Sequence, residues 1–213
     1  MRIPKFGLVA AVIGSLTIVG GASAQPDIGG MPIHTQENEF SDGSLWGMTV
    51  WSYVFDADSA LPEGFILDPG EMLFAYFLDG DDTKEVSVDS FSVGNPNLMP
   101  ITSVGFETGI VPSGYDAEDV EEPFLFGYSG PAQATIYTYS GDMSDPFSTL
   151  DPQEWSLVWY IAEAPTWSLG SATASGAGIS DNHDLPVPTV PSPGPVVLLG
   201  LAAGLVGFGR RSR

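Results

Sequence analysis

Residues 44–178 repeat one pattern: a short run rich in aromatic and β-branched side chains, then a break at glycine or proline. In SLWGMTVWSYVFD, Trp46, Met48, Val50 and Val54 share one parity, and Leu45, Trp51, Tyr53 and Phe55 share the other. Successive side chains of a strand point to opposite faces, so this strand is apolar on both and belongs inside a sandwich. EMLFAYFLDGDDTKEVSVDSFSVG predicts a hairpin, outward over 72–78, turning at Asp79-Gly80 and returning over 86–93. In the return run Val86, Val88 and Ser90 alternate with Ser87, Asp89 and Phe91. Further strands are predicted over 101–107, 124–128, 134–140, 154–162 and 167–175, and GNPNLMP, IVPSGY and SGPAQ punctuate the gaps. Residues 25–184 contain no uninterrupted amphipathic stretch of about twelve residues, the length a stable helix needs. The expected fold is all-β, a two-layer antiparallel β-sandwich of about eight or nine strands, with a partly open barrel as the alternative. The polar, aperiodic 25–43 reads as a flexible lead-in. The alternating prolines of 179–194 read as an extended, semi-rigid stem.

The two ends carry a different signal. Arg2 and Lys5 precede an uncharged apolar run and then Ala22-Ser23-Ala24, the order of a secretory signal peptide cut after Ala24. At the other end PSPGP leads into the uncharged residues 195–209 and then Arg210, Arg211 and Arg213. As a helix of about 1.5 Å rise per residue, 195–209 reaches roughly 22 Å, short of the ~30 Å apolar core of a bilayer. Arginines at its far side place the preceding domain outside. This tail resembles the PEP-CTERM sorting signal, in which a Pro-X-Pro motif, a Gly/Ala/Leu-rich helix and an arginine cluster direct a protein to exosortase. Pro191, Ser192, Pro193 and Gly194 stand at the motif, with Ser192 where the family has glutamate. The resemblance implies signal peptidase and an exosortase-type transpeptidase as processing partners, transient anchoring in the inner membrane, removal of the helix, and a final place on the cell surface or in the extracellular matrix. Gly200 and Gly204 form a GxxxG match of low specificity in so Gly/Ala-rich a segment.

Charge sharpens the picture. All 27 acidic residues lie within 25–184, against Lys84 as the single base there, a difference of 26. Such a surface repels nucleic acid and anionic membranes and attracts cations. Cutting after Ala24 and Pro193 leaves about 169 residues, enough to bury a core without staples. Cysteine is absent, which removes thiol catalysis, disulfides and cysteine-based zinc sites.

Candidate chemistry is sparse. His34 falls in the lead-in and His183 in the stem, outside the predicted core. GYSGP (127–131) departs from a nucleophile elbow, with Pro131 at the second glycine and no helix after it. Carboxylate pairs for glycoside hydrolysis are too numerous to single one out. Two acidic loops concentrate oxygen ligands for calcium: DGDD at 79–82, and the loop of Asp116, Glu118, Asp119, Glu121 and Glu122, which is the better candidate. In an EF-hand register from Asp79, Lys84 replaces the glycine and Ser90 the bidentate glutamate. Trp46, Trp51, Trp155, Trp159 and Trp167 are candidate sugar platforms. Trp155 and Trp159 share a strand face with Leu157 and Ile161 and read as core, leaving Trp167 as the exposed candidate.

The sequence therefore points to a non-enzymatic exported surface or matrix protein that requires no cofactor. Its two acidic segments read first as a hairpin turn and a solvated loop, with calcium a candidate ion and bridging by divalent cations one version of the reading. A glycan-binding module of the envelope or extracellular polysaccharide is the alternative, and a secreted glycoside hydrolase the weaker one.

Overall fold

The computed structural model describes residues 25–95, 97–129, 134–139 and 149–191. Among them, two antiparallel five-stranded sheets pack face to face. Sheet one runs in the order β1 (His34–Ser41), β2 (Gly47–Asp56), β3 (Glu71–Gly80), β8 (Trp155–Glu163), β5 (Ile101–Phe106). Sheet two runs β10 (Ile179–Thr189), β9 (Thr166–Gly176), β4 (Ser90–Gly94), β7 (Ala134–Thr138), β6 (Leu125–Ser129). The described residues hold ten strands, above the eight or nine expected from sequence, and their one helical element is a 3-10 turn at Ala117–Asp119.

The two sheets bury their strands differently, and the sequence pattern says why. In β2, β3 and β8, Val50, Val54, Phe74, Tyr76, Val158 and Tyr160 point into the core between the sheets. The other parity, Trp51, Tyr53, Phe55, Leu73, Phe77, Trp155 and Leu157, forms a second core on the outer face. Loops cover that outer face with Leu61, Phe65, Leu67, Ile110, Tyr115 and Val120. Sheet two has its packed core on the inner face, through Phe91, Val93, Tyr137, Ala172, Ala174, Leu185 and Val187. Its outer face is a hydroxyl grid in which Ser92 lies between Thr173 and Ile136, and Ser90 between Ser175 and Thr138. That is the clean alternation of a sheet open to solvent on one side.

Three expectations are corrected. The lead-in 25–43 contains β1, which pairs with β2 from His34↔Val54 to Ser41↔Gly47. Its outward Thr35, Glu37 and Glu39 are exposed and its inward His34, Gln36 and Asn38 are half-buried, so an edge strand this polar shows no apolar period. The stem 179–194 contains β10, paired with β9 over its whole length. Pro186 and Pro188 share a parity, and an edge strand uses only every second N–H in its ladder. Prolines at alternate positions therefore fit an edge strand as well as they fit a polyproline stem. The body accordingly runs past both ends of 44–178. Finally, β3 and β4 do not form a hairpin. β3 is flanked by β2 and β8, and the chain crosses after Gly80 to place β4 between β9 and β7 in the other sheet.

Candidate functional site

Carboxylates gather at one end of sheet one. Register places Glu39, Thr49, Asp79 and Trp155 in one row across β1, β2, β3 and β8. Glu37, Glu39, Asp79, Asp81, Asp82 and Lys84 line a cleft of about 670 Å³ there, together with Gly47, Pro152 and Gln153. The turn after β3 is fixed by its own bonds. Asp81 accepts the Thr83 amide at 3.0 Å and the Thr83 hydroxyl at 2.6 Å, and the Asp81 amide donates to the Gly47 carbonyl at 3.0 Å. A Cβ on Gly47 would lie 3.2 Å from both Asp81 Oδ2 and Lys84 Cε, so glycine lets this turn close onto β2. On the opposite wall the Gly80 amide donates to the Glu154 carbonyl at 3.0 Å, and a Cβ on Gly80 would collide with the Asp151 carbonyl oxygen.

The cleft's charges do not balance. Burial pushes the Asp79 carboxyl above its ordinary range and neighbouring Asp82 and Asp81 add to that, against a hydrogen bond from the Tyr115 hydroxyl at 2.9 Å. Burial also acts on Asp81, but the Thr83 donors and Lys84 outweigh it and hold this carboxyl low. Glu154 is raised by burial and by the charges of Glu121, Asp151 and Asp119, although the Asp151 amide stabilises its anion. Clustered carboxylates and partial burial both raise a carboxyl's pKa, so the shift reports crowding of like charge at this end of the sheet. None of the cleft-lining residues is a histidine. The arrangement concentrates negative potential and offers it to cations.

The acidic loop joins this end. Asp116 caps the 3-10 turn by accepting the Glu118 amide at 3.2 Å, and its carbonyl receives Trp155 Nε1 at 2.8 Å. The Glu121 amide donates to the Trp155 carbonyl at 2.8 Å, and Val120 bridges to Trp155 in parallel sense. Asp116, Glu118, Asp119 and Glu122 are exposed and Glu121 is half-buried. Among the described residues no three His, Asp or Glu side chains converge on one point.

Both histidines lie along the seam where β1 meets β10, but six residues of β1 apart, His183 packing edge-on against Phe40 at 4.7 Å. The rings of His34 and Trp167 stack at 4.0 Å, and His183 Nε2 lies 3.1 Å from Asp181 Oδ2, which also accepts the Ser41 amide at 3.0 Å. Trp167, expected to be exposed, is half-buried under that stack. Trp46, Trp51 and Trp155 are buried, and Trp159 is half-buried with Phe65 packed edge-on at 5.1 Å. Among the described residues the exposed aromatics are instead Phe124, Phe126 and Tyr128, in or beside β6. Their shared parity in PFLFGYS was the available signal. Gly127 and Ser129 of the GYSGP stretch lie in this edge strand, not at a strand-to-helix elbow. Ala22, Ala24, Ser192, Pro193, Gly194, Arg210, Arg211 and the 195–209 segment lie outside the described residues, and Pro191 is the last of them, exposed after β10. Among the described residues no helix is long and apolar enough to cross a membrane.

Comparison of the chain with protein-family models, with curated proteins and with solved structures finds no match to any of them.

Proposed function

We propose that this is a non-enzymatic exported protein of the cell surface or extracellular matrix, cut after Ala24 and sorted through its PEP-CTERM-like tail. Its work is to hold a polyanionic surface in the medium, with divalent cations gathered at the acidic end of sheet one. The observation that carries this is the division of labour within the body. A cysteine-free sandwich buries apolar residues in two cores, while 27 acids face a single base within 25–184. Stability comes from burial, which leaves the charged surface free for display. Intact mass of the protein recovered from the producing cells and their medium tests this. A mass that begins at Gln25 and ends near Pro193 supports it. A cytoplasmic protein that still carries Met1 refutes it.

A further inference from the structure

We propose that β6 is the edge through which two copies of this chain pair, antiparallel, about a two-fold axis at Gly127. Bare sheet edges invite further strands, and proteins guard them with charge, proline, bulges or cover. Of the four described edges, three are guarded. β1 presents Glu37 and Glu39 and is tied to β10, Gln36 Nε2 donating to the Asp184 carbonyl at 2.9 Å. β10 has Pro186 and Pro188. β5 shifts register between Ile101 and Ser103. Among the described residues, β6 carries no charge, proline or register shift. It pairs with β7 in unbroken register, and residues 123–141 contain no charge. Along it Phe124 is 54% exposed, Leu125 62%, Phe126 38% and Tyr128 38%, with Phe126 seated edge-on against Phe106 of β5 at 5.4 Å.

Charge selects the occupant. A cationic partner is drawn to the carboxylates of sheet one and finds none on β6. Two like-charged copies repel least where neither carries charge, and β4, β6, β7 and β9 have no charged residue. A closed two-fold contact is also the commonest form of self-association. An axis at Gly127, the midpoint of β6, sets Phe126 opposite Tyr128 of the second copy, an aromatic cross-strand pair. It also sets Gly127 against itself at the roughly 4.5–5.5 Å of facing antiparallel residues, within disulfide reach. A Cβ built on Gly127 meets nothing within 4 Å, so a side chain fits there.

The absence of native cysteine makes the test specific. In the protein as isolated from its producing cells, Gly127→Cys is expected to form a disulfide-linked dimer under mild oxidation, while Thr173→Cys on the open face of β9 stays monomeric. Sedimentation of the unaltered protein should show more dimer as NaCl rises from about 20 to 500 mM, because screening relieves the repulsion. Phe126→Asp and Tyr128→Asp should each weaken the dimer at least about tenfold, about 1.4 kcal/mol. If Phe126→Asp fails to fold for want of its contact with Phe106, Tyr128→Asp carries the result. A protein monomeric in high salt, a Gly127→Cys that links no faster than Thr173→Cys, or a dimer indifferent to Tyr128→Asp overturns the proposal. So does capture of a neutral polysaccharide by a protein that stays monomeric.

Discussion

The Tyr76 hydroxyl donates to the carbonyl of Pro186 at 2.7 Å, joining the middle of sheet one to the proline-bearing edge of sheet two. Both groups are buried, and the same hydroxyl lies 3.3 Å from that of Tyr160. Tyr76→Phe leaves a buried carbonyl without its donor and is expected to cost about 1–3 kcal/mol. For a domain of this size that lowers Tm by several degrees, about 2–4 °C per kcal/mol. An unchanged Tm would mean that water replaces the phenol. Deleting 179–191 removes Leu185 and Val187 from the core and should abolish cooperative unfolding by calorimetry.

Glycine tolerance should differ sharply between β9 and β6. A Cβ on Gly176 would lie 2.6 Å from the Ser87 carbonyl and 2.9 Å from Trp46 Cγ, both in packed surroundings. Gly176→Ala is expected to destabilise by about 1–3 kcal/mol through overpacking. Gly127→Ala meets open space and should be neutral or stabilise by up to about 1 kcal/mol. Urea midpoints of the two variants check this, and the reverse order would contradict the packing described.

Stability should rise as the medium becomes mildly acidic. Asp79, Asp89 and Glu154 all titrate above the ordinary carboxylate range, with burial the leading cause in each. Their contribution is complete below the unfolded pKa of about 4 and is lost as pH rises through their raised folded values. Asp42 has the opposite sign, held low first by the Ser44 amide. Asp81 and Asp181 are held low against burial by bonds from Thr83 and Ser41. Their contribution is lost only as pH falls through those lowered values. Tm should therefore climb as pH falls from 7 toward the unfolded carboxylate pKa of about 4, and drop again below it as the lowered groups take up protons. Asp79→Asn keeps an acceptor for Tyr115, removes the buried charge, and should raise Tm at pH 7 but not at pH 3. A Tm that falls steadily from pH 7 to 5 contradicts this.

Divalent cations should act through the field and not through a fitted cage. Millimolar calcium and magnesium are expected to raise Tm by similar amounts, each beyond a sodium control of equal ionic strength. A strong preference for calcium would locate a defined site and count against a diffuse ion cloud. No shift with either ion would retire cation bridging altogether.

Strands with aromatic and β-branched residues were legible from the chain alone, because two-sided burial leaves apolar residues on both parities. The pairing of Trp51 and Trp155 with outer-face loops follows from the same rule. Harder to read were the edges. β1 is polar on both faces until Phe40, and the prolines of β10 have the same spacing in an edge strand as in a polyproline stem. Asp79-Gly80 carries a hairpin signature, yet β3 already has a neighbour on each side, so its turn serves a crossing between sheets. The acidic cleft was hidden for a related reason. Glu39 and Asp79 are forty residues apart in sequence. Only the register through Thr49 places them in one row.

Pro186 and Pro188 also decide what crowding can do to this protein. A copy that joins another along β6 turns a proline border outward on each side, so the combined sheet has nowhere left to recruit. Polymerisation along that axis halts at two. A concentrated solution of such molecules thus remains a suspension of discrete bodies rather than a cross-β fibre.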